Sequence, residues 1–191
     1  MRDMIKNNSI ALLALLAVFQ MSCMGERKAK EEDTDTDFEA SVAALEERKS
    51  KARAINEKLC SEFPEELVLK HNPDAKRIVI ERVERIPGEF SLCKVKMFYG
   101  DKEHEFFEGQ VAVYPSQQED PFWQYNPREG GMNHPVEEFD GRAIYVGLTY
   151  QLLILKDGLI YNIAPPNNGS KTSTGKATKE ILFDIARHYK L

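Results

Sequence analysis

Residues 143–164, AIYVGLTYQLLILKDGLIYNIA, decide the fold, because they hold two apolar runs joined by an aspartate–glycine pair. The runs cover 143–155 and 159–164, and Asp157 and Gly158 lie between them. Both central residues of a type I′ turn need a positive φ angle, which aspartate and glycine tolerate. This stretch therefore predicts two antiparallel strands joined by a tight hairpin.

Three more strands are predicted upstream, in 77–86, 90–99 and 104–114, where apolar residues alternate with polar ones. Alternation with a period of two is typical of a strand that buries one face. Gly109 interrupts the third run and suggests a β-bulge there. We expect these three strands to form an antiparallel meander.

Helical periodicity occurs on both sides of the strand region. Apolar residues recur at three- and four-residue steps, or multiples of them, through 38–62, and the proline that follows ends this helix. The apolar positions of this helix and its end are Phe38, Val42, Leu45, Ala52, Leu59 and Phe63. A short helix that opens at 64–66 and runs to about residue 70, and a final helix at 176–190, are also predicted. The fold class is therefore α+β: an antiparallel sheet of about five to six strands, with a long N-terminal helix and a C-terminal helix packed on one face.

The first 22 residues have the pattern of an export signal. A wholly apolar run at 10–19 follows a basic start, and polar residues return before Cys23. A helix needs about 20 apolar residues to cross a bilayer, so this run is too short for a permanent span. Ser22 and Cys23 resemble the lipobox of bacterial lipoproteins, in which a cysteine after a small residue receives diacylglycerol and becomes the mature N-terminus. Gln20 stands where that motif usually has leucine.

This resemblance implies that 1–22 is a lipoprotein signal peptide. It also implies that acyl chains such as palmitate on Cys23 anchor the chain to a membrane of the bacterial cell envelope, on the periplasmic or the surface side. More than one buried acyl chain makes such anchoring stable. Charged residues dominate 23–37, which predicts a solvated tether before a single α+β domain at 38–191. The alternative is an ordinary leader cut near Gly25, which would release a free soluble product.

The chain has three cysteines. If Cys23 carries lipid, Cys60 and Cys93 remain in an oxidising compartment, where unpaired thiols are unusual. Helical phase places Cys60 on the apolar stripe of its helix, and strand alternation places Cys93 on the apolar face of its strand. We therefore predict a disulfide between them. The alternative is two small buried thiols in a reduced protein.

The connection at 115–142 is the candidate interaction loop, because it is far longer than the usual four to six residues. It contains Phe122, Trp123, Tyr125 and His134, and Trp123 is the single tryptophan of the chain. Such aromatic groups can anchor a protein, peptide or glycan ligand. The alternative is a loop that buries its own aromatic cluster over an edge of the sheet.

Other kinds of chemistry find little support in the sequence. A net charge of −5, without a dense basic cluster, disfavours nucleic acid as a partner. The carboxylates near His134 have no known metal-ligand spacing. The segment GSKTSTGK at 169–176 departs from the spacing of a phosphate-binding loop, and Ser91 and Lys94 match an S-x-x-K pattern only in letters. We predict no catalytic residues, no metal and no cofactor.

These observations favour a membrane-anchored envelope lipoprotein that acts as a non-enzymatic binding module. Two alternatives stay open. One is a periplasmic hydrolase or transferase whose active site is too dispersed to recognise in the sequence. The other is a structural or assembly factor of the cell envelope.

Overall fold

The structure is a computed structural model that describes residues 33–86, 90–117, 121–122, 132–139, 142–167 and 169–191. The predicted signal peptide, Cys23, Trp123 and Tyr125 lie outside the described residues. Contacts divide the chain into two units, Met1–Val42 and Ala43–Leu191. Among the helices described, none is long and apolar enough to cross a membrane.

The described residues form three helices and seven strands. In chain order they are α1 (Asp33–Ser61), α2 (Glu65–His71), β1 (Arg77–Ile86), β2 (Phe90–Phe98), β3 (Phe106–Pro115), β4 (Asn133–Val136), β5 (Arg142–Val146), β6 (Gln151–Lys156), β7 (Leu159–Ala164) and α3 (Thr178–His188). The strands make one antiparallel sheet in the order β1-β2-β3-β7-β6-β5-β4. The α+β class, with a helix at each end, is confirmed, but the sheet has more strands than the five to six predicted.

Two features account for the additional strands. The run at 143–155 is divided into β5 and β6 by a turn at 147–150, in which Tyr150 has a φ of 52°. Gly147 belongs to this turn, and a Cβ on it would lie 2.5 Å from the Met132 carbonyl oxygen. The second feature is β4, which lies inside the segment that we predicted as one long connection. It is only four residues long and contains a proline, so it carries no alternating pattern.

The predicted hairpin between β6 and β7 is confirmed. Asp157 and Gly158 have φ angles of 52° and 70°, as a type I′ turn requires. Lys156 pairs with Leu159 across this turn.

The predicted β-bulge at Gly109 is wrong. The register between β2 and β3 runs without a break through Gly109, and the irregularity of the sheet lies between Glu84 and Ile86 instead. Gly109 is needed for another reason. A Cβ there would collide with the backbone nitrogen of Pro166 and lie 2.5 Å from the Ala164 carbonyl oxygen. Gly109 therefore allows the end of β7 to pass close to β3.

Alternate residues of the sheet contribute to two apolar clusters. The larger cluster combines one set of strand residues, among them Cys93, Val95, Leu152 and Ile154, with buried residues of all three helices. The smaller cluster combines the opposite alternation, Ile144, Val146, Leu153 and Ile160, with Phe122 from the segment between β3 and β4.

Helix α1 differs from its prediction at its start. It is described from Asp33, so residues 33–37, which composition assigned to the tether, are helical. Once a helix has formed, each added residue gains a hydrogen bond, so polar residues can extend it. The predicted apolar position Val42 is 43% exposed, whereas Ala52, Leu59 and Phe63 are buried.

Two side chains one turn apart join α1 to the sheet. The Sγ atoms of Cys60 and Cys93 lie at disulfide-bonding distance, with their Cα atoms 5.0 Å apart. The predicted pairing of these cysteines thus agrees with their positions. Asn56 is 2% exposed and bonds the backbone of Val113 twice: its Nδ2 donates to the carbonyl oxygen at 2.7 Å, and its Oδ1 accepts from the amide at 2.7 Å. Two adjacent turns of helix α1 are therefore attached to the sheet, one to β2 through Cys60 and one to β3 through Asn56.

Candidate functional site

The structure separates the residues that we predicted for the interaction loop. Phe122 is 1% exposed and packs in the smaller apolar cluster, so it is not presented to a ligand. His134 is exposed and lies on β4. Trp123 and Tyr125 lie outside the described residues. Of the predicted set, His134 is therefore the residue that the structure places at an accessible site.

His134 lines a cleft of about 490 Å³ between β4 and α3. The residues around it are His134, Pro135, Val136, Glu137, Glu138, Tyr145, Lys179 and Phe183. Lys179 and Phe183 are four residues apart on α3 and therefore lie on the same side of that helix. We call this the β4–α3 cleft. It combines an apolar base with cationic and anionic groups at its rim.

Aromatic packing fixes the walls of the β4–α3 cleft. His134 and Tyr145 are paired across β4 and β5, and their ring planes are 17° apart with centroids at 6.2 Å. Phe183 meets the buried Phe139 edge to face, with centroids at 5.5 Å. Burial, with a smaller effect of Tyr150, raises the pKa of Tyr145, so its phenol keeps its proton at neutral pH.

Among the described strands, β4 is an edge of the sheet, and the side of β4 that faces away from β5 lacks one hydrogen-bond donor, at Pro135. Gly147 donates its amide hydrogen to the Met132 carbonyl at 2.6 Å, so Met132, His134 and Val136 direct their backbone groups toward β5. Pro135 then faces outward, where it offers no N–H to an added strand. This edge is therefore poorly suited to strand addition.

A chain of charged groups holds the rim of the cleft against α3. Arg187 donates to Glu138 through Nε, and its Nη1 donates to the Oδ1 of Asp184 at 2.7 Å. The Oδ2 of Asp184 lies 2.9 Å from Nε2 of His71, whose side chain is only 5% exposed. The network therefore connects the segment after β4 to α3 and to the end of α2.

Two further hydrogen bonds, from residues 173 and 174, hold the end of α2. The His71 carbonyl accepts a hydrogen bond from the Thr174 hydroxyl at 3.2 Å, and Asn72 accepts one from the Ser173 amide at 3.2 Å. Thr172 is buried in the same turn. Residues 172–174 are thus packed against the residues that position His71.

The Asp184 carboxyl has a lowered pKa. Burial raises it, but hydrogen bonds from His71 and Arg187, together with their charges, outweigh burial and hold the pKa below its ordinary value of 3.8. A lowered folded-state pKa stabilises the fold above the unfolded-state pKa. That contribution is lost as the pH falls through the folded-state pKa, so its loss belongs to the range below about pH 4.

We expect Asp184→Asn to lower the free energy of unfolding by about 1 kcal/mol at pH 7, since solvent screens a carboxylate that is 34% exposed. The difference from the wild type should shrink below about pH 4, where the wild-type carboxylate takes up a proton. Urea unfolding at a series of pH values measures this. Glu105→Gln, which breaks an exposed ion pair with Lys102, should change the stability at pH 7 by less than about 0.5 kcal/mol. A pH-independent difference for Asp184→Asn would contradict the assignment.

Sequence reasoning missed most members of this site. No sequence pattern pointed to His71, which is buried at 4% exposure. His71 and Asp184 are 113 residues apart, so no local spacing could have paired them. Lys179 and Phe183 lie within a helix that was correctly predicted. The periodicity of that helix did not indicate which of its faces would meet β4.

Comparison with known proteins assigns no function to the β4–α3 cleft. Within the described ranges, no group of three or more histidine, cysteine, aspartate or glutamate side chains is arranged to hold a metal ion. No protein-family model matches the sequence, no curated protein is significantly similar to it, and no solved structure matches it significantly.

Proposed function

We propose that this chain is a bacterial envelope lipoprotein, anchored through acyl chains on Cys23, whose α+β domain is a non-enzymatic binding module. The β4–α3 cleft is its binding surface, and its partner is a protein or peptide. The observation that carries the proposal is the meeting of an apolar base, a stacked aromatic pair and an exposed lysine in one cleft.

The location rests on two features of the chain. The N-terminal pattern ends at Ser22 and Cys23 and resembles that of bacterial lipoproteins. The two other cysteines lie at bonding distance, which suits an oxidising compartment outside the cytoplasm.

The binding mode follows from the chemistry of the cleft. Val136 and Phe183 offer an apolar surface to a partner side chain, and Lys179 can pair with a carboxylate beside it. Ligand sites of proteins commonly combine an apolar lining with a few polar groups of this kind. The outward position of Pro135 disfavours strand addition at β4, so the partner inserts side chains into the cleft.

Among the described residues, the hydrolase alternative has one histidine–carboxylate pair to draw on, His71 with Asp184. The side chain of His71 is only 5% exposed, and its Nε2 already contacts Asp184. A substrate therefore has poor access to it. This contact is better suited to positioning the rim of the cleft than to proton transfer.

The anchor is tested by mass spectrometry of the N-terminal peptide from the native protein. We expect the mature chain to begin at Cys23 with diacylglycerol attached. Cys23→Ala should move the protein from the membrane fraction to the soluble fraction or leave an uncut precursor. A native N-terminus downstream of Cys23 without acyl groups would overturn the anchor, but not the binding role of the cleft.

The cleft is tested by cross-linking in cells, with a photoreactive phenylalanine in place of His134. We expect Lys179→Glu to lower the yield of the cross-linked complex by about tenfold, since a charge reversal beside a bound carboxylate costs roughly 1.4 kcal/mol or more. The melting temperature should stay within about 2 °C because Lys179 is exposed.

Two matched controls use Lys51. In the first, the photoreactive group replaces Lys51 and not His134. In the second, Lys51→Glu is introduced into the protein that carries the photoreactive group at position 134. Lys51 is also an exposed helical lysine, but it lies on α1. Equal cross-linking from both positions, or equal losses from both charge reversals, would contradict binding at the cleft.

A further inference from the structure

The paired cysteines differ sharply in exposure. Cys93 is 0% exposed and belongs to the larger apolar cluster. Cys60 is half-buried and lines a surface cleft of about 780 Å³, together with Ala54, Lys58, Ile80 and Arg82. Cys93 does not line that cleft. We call it the Cys60 cleft, and it is distinct from the β4–α3 cleft.

This asymmetry decides which sulfur an external thiol can reach. A thiolate attacks one sulfur of a disulfide along the S–S axis, from the side opposite the departing sulfur. Cys60 borders solvent at the Cys60 cleft, and an attack on its Sγ sends the departing electron pair to Cys93. An attack on Sγ of Cys93 would have to start within the packed core, where no external molecule fits.

The charges around the Cys60 cleft are compatible with an incoming thiolate. The side chain of Lys58 is 71% exposed, and the guanidinium of Arg82 bonds Glu57 at 2.8 Å. These two cations lie on the same opening as Cys60. Within the lining they offset the carboxylates of Glu57 and Glu65, and Lys58 also lies 4.0 Å from the carboxylate of Glu62 outside it.

From these observations we infer that Cys60 is a thiol-exchange site of the folded protein, open to a small thiol or to the active-site cysteine of a thiol–disulfide oxidoreductase. The incoming thiolate forms an S–S bond with Sγ of Cys60. The Cys60–Cys93 bond breaks, and its electron pair stays on Cys93, which takes a proton from solvent. A second thiolate then releases Cys60 as a thiol, so the two cysteines gain two electrons and the external thiols become a disulfide.

Exchange at Cys60 does not require the helix to leave the sheet. Asn56 lies one turn before Cys60 and keeps both hydrogen bonds to Val113 when the sulfur bridge opens. Tyr189 also donates its hydroxyl to the Leu59 carbonyl at 2.6 Å. The end of α1 is therefore retained by contacts that do not involve sulfur.

The test uses the full chain with Cys23→Ala, so that Cys60 and Cys93 are the two cysteines that can react. The oxidised protein is incubated with reduced glutathione in native buffer, quenched with acid, and digested for peptide mass spectrometry. We expect the glutathione adduct on the peptide that contains Cys60. The rate should be independent of urea below the unfolding transition, because the native state itself reacts.

Two further variants form a matched pair. In the Cys93→Ala background, Cys60 should react with an aromatic disulfide reagent about 100-fold faster than Cys93 does in the Cys60→Ala background. Urea-unfolded samples of both should react at similar rates. Adducts on Cys93, equal native rates for the two thiols, or a glutathione reaction that rises with urea as global unfolding does, would each overturn the inference.

Discussion

Asn56→Ala is expected to lower the free energy of unfolding by about 3 kcal/mol, although it removes only a small polar side chain. Asn56 is 2% exposed, and both of its polar atoms bond the backbone of Val113. Alanine would leave the Val113 amide and carbonyl unpaired in the interior. Each unpaired buried group costs roughly 1 to 3 kcal/mol. The melting temperature should fall by about 6 to 12 °C.

The register of the sheet explains why Val113 depends on a side chain. Pairing between β2 and β3 ends at Cys93 and Val111, while pairing between β3 and β7 continues to Pro115. Because the Val113 groups bond Asn56, they point away from β7. The amide of Asn56 therefore takes the place of a β2 residue at the point where β2 and β3 separate.

Arg53→Ala is the matched control, since Arg53 lies on the same helix and is exposed. We expect that change to alter stability by less than about 0.5 kcal/mol. Asn56→Asp provides a second comparison: its carboxylate can accept from the Val113 amide but cannot donate to the carbonyl. Urea unfolding followed by circular dichroism measures all three. A loss below about 1 kcal/mol for Asn56→Ala would show that solvent or a neighbouring group replaces the amide.

The sequence predicted those elements whose pattern is local. The observed bounds of β1 and β7 equal the predicted ones, because a local pattern covers each strand, alternation in β1 and an apolar run in β7, and turn residues bound both. The hairpin at Asp157 and Gly158 also depends on local chemistry, namely the tolerance of these residues for positive φ.

The elements that escaped prediction depend on distant contacts. The mostly apolar run at 143–155 suggested one strand, yet the chain turns where Gly147 approaches Met132 and Tyr150 takes a positive φ. Tyrosine is not a residue that favours such a turn, so propensity pointed the wrong way. Strand β4 contains His134 and Pro135 and becomes a strand by pairing with β5.

Asn56 illustrates the same limit within a helix. In the periodic pattern of α1 it reads as a polar interruption of the apolar stripe. In the structure it occupies the buried face and completes the hydrogen bonding of β3. Periodicity identifies which side of a helix is buried, but it does not identify a polar residue whose partner is an unpaired backbone 57 residues away.

Removing the Cys60–Cys93 cross-link is expected to have the largest effect, a loss of about 3 to 4 kcal/mol. The cysteines are 33 residues apart, and closing a loop of that length restricts the unfolded chain by this amount in the chain-entropy model. The corresponding fall in melting temperature is about 6 to 16 °C. Urea unfolding of the oxidised and the dithiothreitol-reduced protein measures the cross-link without changing any side-chain volume.

The double variant Cys60→Ala/Cys93→Ala should lose more unfolding free energy than the reduced protein does, because Cys93 is 0% exposed and its sulfur also fills space in the core.

The slope of the unfolding free energy against urea separates the effect of the cross-link from that of Asn56. Without the cross-link the unfolded chain expands and exposes more surface, so the slope should rise. Asn56→Ala acts on the folded state and should leave the slope of the oxidised protein unchanged. Equal slopes for the oxidised and the reduced protein would contradict this mechanism. They would mean that the bridge acts chiefly by stabilising the contacts of α1 with β2 in the folded state.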